Sequence, residues 1–237
     1  MFRFNSGLSL MIFTWQQIPS PVITEILCNI GCDGIVIDTE HGGFNDETVI
    51  SCIQTATLAG KKCFVRLTEV SKTKIRYYLD SGATGLIFST VEAMEDAQKI
   101  VEYSCFPPRG RRGLGLVRQN MWGAKDLLSP DPILIPQIET CEGVDNLEEI
   151  TSLGFDYYLI GPYDLSLSLG IPAEFDNNKF MMYINKINGI ISKEKMAVHI
   201  PNNIHQEIPK YKGYGLKCLG MDTIALMEYH KEIIKDA

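Results

Sequence analysis

Short apolar runs of β-type composition alternate with stretches whose apolar positions recur at helical spacing, from one end of the chain to the other. The runs Leu8 to Thr14, Gly34 to Asp38, Cys63 to Leu67, Gly85 to Phe88, Ile133 to Ile138, Tyr157 to Ile160, Ala197 to Ile200 and Leu216 to Gly220 predict strands. After Pro21, Val22, Ile26 and Ile30 share one stripe with Ile23 and Leu27 beside it, which predicts a helix that packs by that face and stops at Gly31. Further helices are expected over Glu47 to Leu58 and Lys72 to Leu79, and along Met94, Ala97, Ile100 and Val101. Others follow along Val144, Leu147 and Ile150, in a longer region ending near Lys195, over Ile204 to Tyr211, and at Ile224 to Ile234.

Each parallel strand needs a crossover that covers the sheet, so eight strands alternating with helices in 237 residues predict a single-domain (β/α)8 barrel. A doubly wound open sheet is the alternative. The beat breaks only between Phe106 and Asp131, a Pro-, Gly- and Arg-rich segment (PPRGRRGLG) too long for a simple connection and therefore a candidate functional loop.

In a barrel the chemistry sits where strands end, so the residue types after each apolar run are informative. Asp38, Glu40 and His41 follow the second run, Arg66 closes the third, Gln137 and Glu139 close the fifth, Asp164 follows the sixth and Asp222 the eighth. An acid after a strand is also a common cap or turn former, and Asp38 and Asp222 fit that reading best. For the Asp38 to His41 cluster, a catalytic site and a surface arrangement stand equally. Arg66 suits a carboxylate ligand or a rim ion pair. Glu139 and Asp164 are the sharpest pair: on adjacent strands they would converge on a point where a hard divalent cation fits, with open positions for substrate oxygens. The Gly-Pro turn of GPYDLSLSLG leaves amides near Tyr163 and Asp164 free to bind an anion. His199, His205 and His230 read as structural.

Net charge is −7, from 22 Lys and Arg against 29 Asp and Glu, which disfavours broad capture of nucleic acid or anionic lipid. Leu8 to Trp15 is too short to span a bilayer, and no export signal is visible. Seven cysteines, an odd number without a CxxC pair, read as reduced core thiols in a cytoplasm. The chain lacks GxGxxG, a Walker A loop and GxSxG, which argues against a dinucleotide enzyme, an NTPase and a serine hydrolase.

The stretches DGIVIDTEHGGFND, FVRL, PPRGRRGLG, PQIETCEGVDNLEEI and GFDYYLIGPYDLSLSLG, in this order, resemble the HpcH/HpaI family of metal-dependent class II pyruvate aldolases acting on 4-hydroxy-2-oxo acids. The likeness runs from about Gly7 to the end. It implies a (β/α)8 barrel in which Glu139 and Asp164 bind Mg, Mn or Co. It also implies that pyruvate chelates the metal, with its carboxylate on the amides of the Gly161, Pro162, Tyr163 and Asp164 turn and Gln137 close by. The family arginine matches Arg66, although Leu67 stands where proline is usual. The family histidine matches His41, and its aspartate partner matches Asp80, which the residues alone would mark only as a helix end.

These groups imply a lyase that splits a 4-hydroxy-2-oxo acid into pyruvate and an aldehyde. Metal and Arg66 stabilise the enolate, and a neutral His41 oriented by Asp80 moves the proton of the C4 hydroxyl. No lysine lies at the named strand ends, in keeping with a metal route rather than an imine. The alternatives are an acyl-CoA lyase of the citrate lyase subunit type and a silent barrel that binds metal and an oxo acid. The resemblance further implies a homo-oligomer, commonly a hexamer, whose last helix, near 224–235, packs on a neighbour. Arg109, Arg111 and Arg112 serve either a loop or subunit contact, which is favoured, or an anionic aldehyde.

Overall fold

The computed structural model describes residues 10–128 and 130–235; Leu8 and Ser9, the first two residues of the expected first strand, lie outside them. Eight parallel strands close into a barrel in sequence order, as expected: β1 (Met11–Gln16), β2 (Gly34–Asp38), β3 (Lys62–Leu67), β4 (Gly85–Phe88), β5 (Ile133–Ile138), β6 (Tyr158–Ile160), β7 (Met196–Ile200) and β8 (Leu216–Met221). The helices on the outside are α1 (Pro21–Cys28), α2 (Asp46–Leu58), α3 (Lys72–Asp80), α4 (Met94–Ser104), α5 (Cys141–Asp145), α6 (Leu147–Thr151), α7 (Pro162–Ser168), α8 (Asn178–Ile190), α9 (Ile204–Glu207) and α10 (Asp222–Lys235).

The strands were readable as apolar runs because a barrel strand is buried on both faces; all five residues of β2 are buried. One set of side chains fills the barrel: Phe13, Val36, Phe64, Ile87, Ile135, Leu159, Ala197, Leu216 and Cys218. Phe13 and Phe64 stack with centroids 4.3 Å apart. Gly34 makes room for them, since a Cβ there would sit 2.5 Å from the Phe13 ring. The alternate set, including Ile35, Ile37, Val65 and Leu86, packs against the helices.

Two expectations need correction. The first strand extends to Gln16, a buried residue whose amide donates to the carbonyls of Ile18 and Ser20, so a polar side chain at the strand end is satisfied inside the fold. α1 ends at Cys28, before Ile30, and the expected stripe is exposed: Val22 and Ile26 on the helix at 63% and 56%, and Ile30 beyond it at 59%. The face that packs carries Thr24 and Cys28 instead, with the Thr24 hydroxyl donating to Gln16 Oε1 at 2.8 Å. That buried bond sets the roll of the helix against its apolar pattern.

Candidate active site

Strand alternation builds the site. Counting two residues on from the interior core side chains Phe13, Val36, Phe64, Ile87, Ile135, Leu159 and Ala197 gives Trp15, Asp38, Arg66, Ser89, Gln137, Gly161 and His199. These form the next layer up, at the C-terminal ends of the strands, where (β/α)8 enzymes place their chemistry.

Arg66 is fixed within this layer. The β2/β3 register sets Asp38 beside it, and its Nε and Nη2 donate to Asp38 Oδ1 and Oδ2 at 2.9 and 2.7 Å. Its Nη1 lies 2.7 Å from Glu40 Oε2, and the guanidinium sits 4.9 Å from the Trp15 ring. Asp38 also accepts from Trp15 Nε1 and from the amides of Glu40 and His41. Burial pushes the Asp38 carboxyl up, but the hydrogen bonds and charge of Arg66 outweigh it and hold the group down at about 2. Asp38 is therefore both the turn acceptor anticipated from its position and the buried counter-ion of Arg66. Asp222 accepts from the amides of Gln17, Ile18 and Thr223, a structural role as anticipated.

Glu139 is 3% exposed. Its Oε1 accepts from the amide and the hydroxyl of Thr90, both at 2.8 Å, and its Oε2 accepts from Gln137 Nε2. A Cβ on Gly161 would lie 2.5 Å from that Oε2. Asp164 stands in the first turn of α7, exposed, and the first-turn amides of Tyr163 and Asp164 have no partner inside the helix. Burial raises the Glu139 carboxyl above its ordinary range, Thr90 and Gln137 oppose this, and the charges of Asp164 and Glu40 add to it. Four carboxylates, Asp38, Glu40, Glu139 and Asp164, thus share the mouth with one guanidinium.

The donor set fits a divalent cation. The Oε1 of Gln137 is buried without a hydrogen-bond partner, next to a carboxylate whose charge is poorly compensated. Among the described residues no three or more His, Cys, Asp or Glu side chains form a closed cage. Two acids and an amide oxygen leave positions open for substrate.

The structure brings together Arg66, Gln137, Glu139, Gly161, Pro162, Tyr163 and Asp164 at one end of the barrel. His41 lies there too, exposed, after β2. Asp80 does not join them. It closes α3, which starts at the mouth and runs nine residues back along the barrel, and it accepts from Arg112 Nη2 at 2.7 Å. Arg109 pairs with Asp131 and Arg111 with Glu102, so all three loop arginines contact their own chain. The apolar runs alone pass over Ser89, Thr90 and Trp15 and leave His199 reading as structural. It stacks on Trp15 at 4.2 Å, and burial pulls its imidazole down to about 4. Period-2 counting along β4 and β7 would have exposed Ser89 and His199; nothing marks Thr90.

Comparison with known proteins identifies the family and the fold. The family model for HpcH/HpaI aldolase/citrate lyase matches residues 11–227. A 4-hydroxy-2-oxovalerate aldolase of Novosphingobium aromaticivorans is 35% identical over 164 residues, 66% of this chain and 62% of that protein, so this match spans under two thirds of the relative's length. A hydroxypyruvate/pyruvate aldolase of Roseovarius nubinhibens is 31% identical, covering 98% of this chain and 95% of that protein. Among solved structures, an HpcH/HpaI aldolase/citrate lyase family protein of Burkholderia cenocepacia superposes with TM-score 0.88 at 24% identity, over 98% of this chain and 95% of that one. The citrate synthase SbnG superposes with TM-score 0.83 at 27% identity, over 97% and 93%. The chain belongs to the HpcH/HpaI aldolase/citrate lyase family.

Proposed function

We propose that this protein is a divalent-metal-dependent lyase that reversibly cleaves a 4-hydroxy-2-oxo acid to pyruvate and an aldehyde. The observation that carries the reading is the buried Glu139, braced on both oxygens, beside the unpartnered Gln137 Oε1 and the Asp164 turn, with Arg66 at the same mouth. The aldolases named among the relatives support the reaction class.

Glu139 and Asp164 would hold Mg, Mn or Co, with Gln137 adjacent. The cation supplies Lewis acidity toward the oxygens of a 2-oxo acid. The Tyr163 and Asp164 amides receive the substrate carboxylate. Arg66, held flat by its two hydrogen bonds to Asp38, presents positive charge where an enolate develops and so favours the transition state over the ground state. His41 takes the proton from the C4 hydroxyl. Within one chain α3 carries Asp80 away from His41, so the pairing of these two residues is a contact between copies.

That proposal joins a second one, a homo-oligomer. α10 buries only Asp222 and leaves Leu226, Met227, Tyr229 and Ile234 exposed, as a helix covered by a neighbouring copy would. No helix among the described residues is long and apolar enough to cross a membrane. Seven free thiols support a cytoplasmic location.

The test is a screen of aldehydes with pyruvate, with products identified by mass spectrometry. Chelator should abolish turnover and Mg, Mn or Co restore it. Full activity after exhaustive chelation would refute the metal, and condensation only with acetyl-CoA would favour the acyl-CoA reading.

A further inference from the structure

The residues at the end of β4 belong to no part of the mechanism above, yet they touch both halves of the site. Ser89 Oγ donates to Glu40 Oε2 at 2.8 Å, on the oxygen that also meets Arg66 Nη1. Its neighbour Thr90 turns the other way and gives Glu139 Oε1 both its amide and its hydroxyl.

The backbone at Thr90 is what allows two donors from one residue to reach one oxygen. Its φ is +52°, in the left-handed region that a β-branched side chain seldom occupies. An ordinary extended residue after β4 would not turn its amide and its side chain toward the same atom. Holding Oε1 in this way fixes the carboxylate plane and leaves Oε2 on the side of Gln137 and Gly161, where an added Cβ would lie 2.5 Å away.

We propose that Thr90 is a positioning residue for Glu139, whose hydroxyl and strained amide hold the carboxylate so that Oε2 faces the cation site. The inference rests on the metal reading above. It predicts that cation affinity depends on a residue that contacts neither cation nor substrate, as for other groups that orient a ligand.

Thr90→Val tests it, because valine is also β-branched and strains the backbone equally while a methyl group that cannot donate replaces the hydroxyl. Manganese binding is measured by electron paramagnetic resonance of the free ion, alongside thermal unfolding without metal. Thr90→Val should bind manganese about tenfold more weakly with little change in Tm, and Thr90→Ser, which restores the hydroxyl, should return to within about twofold of the parent. Equal affinity in the parent and Thr90→Val would overturn the positioning role alone. So would a Thr90→Ser variant as weak as Thr90→Val. A parent that binds no manganese would overturn the metal reading and this proposal together.

Discussion

Adding one methyl group at Gly161 should damage this site more than its size suggests. The backbone there has φ −97°, which any residue adopts, so Gly161→Ala carries no conformational strain and its effect is contact alone. The new Cβ would lie 2.5 Å from Glu139 Oε2, 2.7 Å from Glu139 Cβ and 3.3 Å from Gln137 Nε2. Reaching an ordinary separation of 3.4–4 Å requires a shift of about 0.9–1.5 Å. Glu139 cannot swing away freely, because Thr90 holds Oε1 with two hydrogen bonds and the Cβ is anchored at the end of β5. A displacement of that order costs about 10–100-fold in cation affinity and about 100-fold in turnover. Overpacking of about 1–3 kcal/mol corresponds to a Tm lower by about 2–12 °C in a chain of this length. Manganese titration, steady-state kinetics at saturating manganese and a thermal melt read all three. If Gly161→Ala bound manganese within twofold of the parent and turned over at the parental rate, the placement of the cation between Glu139 and the GPYD turn would be wrong.

Arg66→Lys keeps the charge but loses the fork onto Asp38, so kcat should fall at least about tenfold while circular dichroism stays that of a folded barrel; parental kcat would remove Arg66 from the chemistry. Asp38→Asn removes the buried counter-ion of that guanidinium and leaves it only the part-exposed Glu40, which should cost about 3–5 kcal/mol in urea unfolding; a loss below about 1 kcal/mol would show the pair to be dispensable. His199 has a folded pKa depressed by burial from 6.5 to about 4, so the unfolded chain binds its proton first. The stability it protects is complete above 6.5 and drains as pH falls toward 4, a slope that a His199→Phe variant should lack in urea midpoints between pH 7 and 5; an unchanged slope would contradict its neutral state in the folded chain. Met227→Asp on the exposed face of α10 should shift the protein to a smaller species in light scattering, and an unchanged mass would exclude that helix from the subunit contact.

Most of the barrel was legible because its strands are apolar throughout: Gly34–Asp38, Gly85–Phe88 and Ile133–Ile138 have the ends that their runs predicted. β1 was shifted because Gln16 looks like an exit to solvent, while its amide is in fact consumed by Ile18 and Ser20. The α1 stripe misled for a related reason, since a buried hydroxyl at Thr24 outweighs three aliphatic side chains left outside. At the mouth, acids at strand ends pointed to Glu139 and Asp164, and their setting beside Gln137 and Gly161 follows from strand alternation. Thr90 was hidden because its role depends on a left-handed backbone that no spacing reveals. The partnership of Asp80 with His41 is not legible within one chain, because α3 takes Asp80 away from the mouth to Arg112, and it enters only as a proposed contact between copies.

The central claim is that this mouth forms the enolate of pyruvate with help from a divalent cation, and hydrogen exchange tests it without knowledge of the aldehyde. With protein, magnesium and pyruvate in deuterium oxide, proton NMR should show the methyl signal disappearing at a rate that chelator and Arg66→Ala both abolish. A methyl signal that persists at the uncatalysed rate with magnesium, manganese and cobalt alike would contradict it.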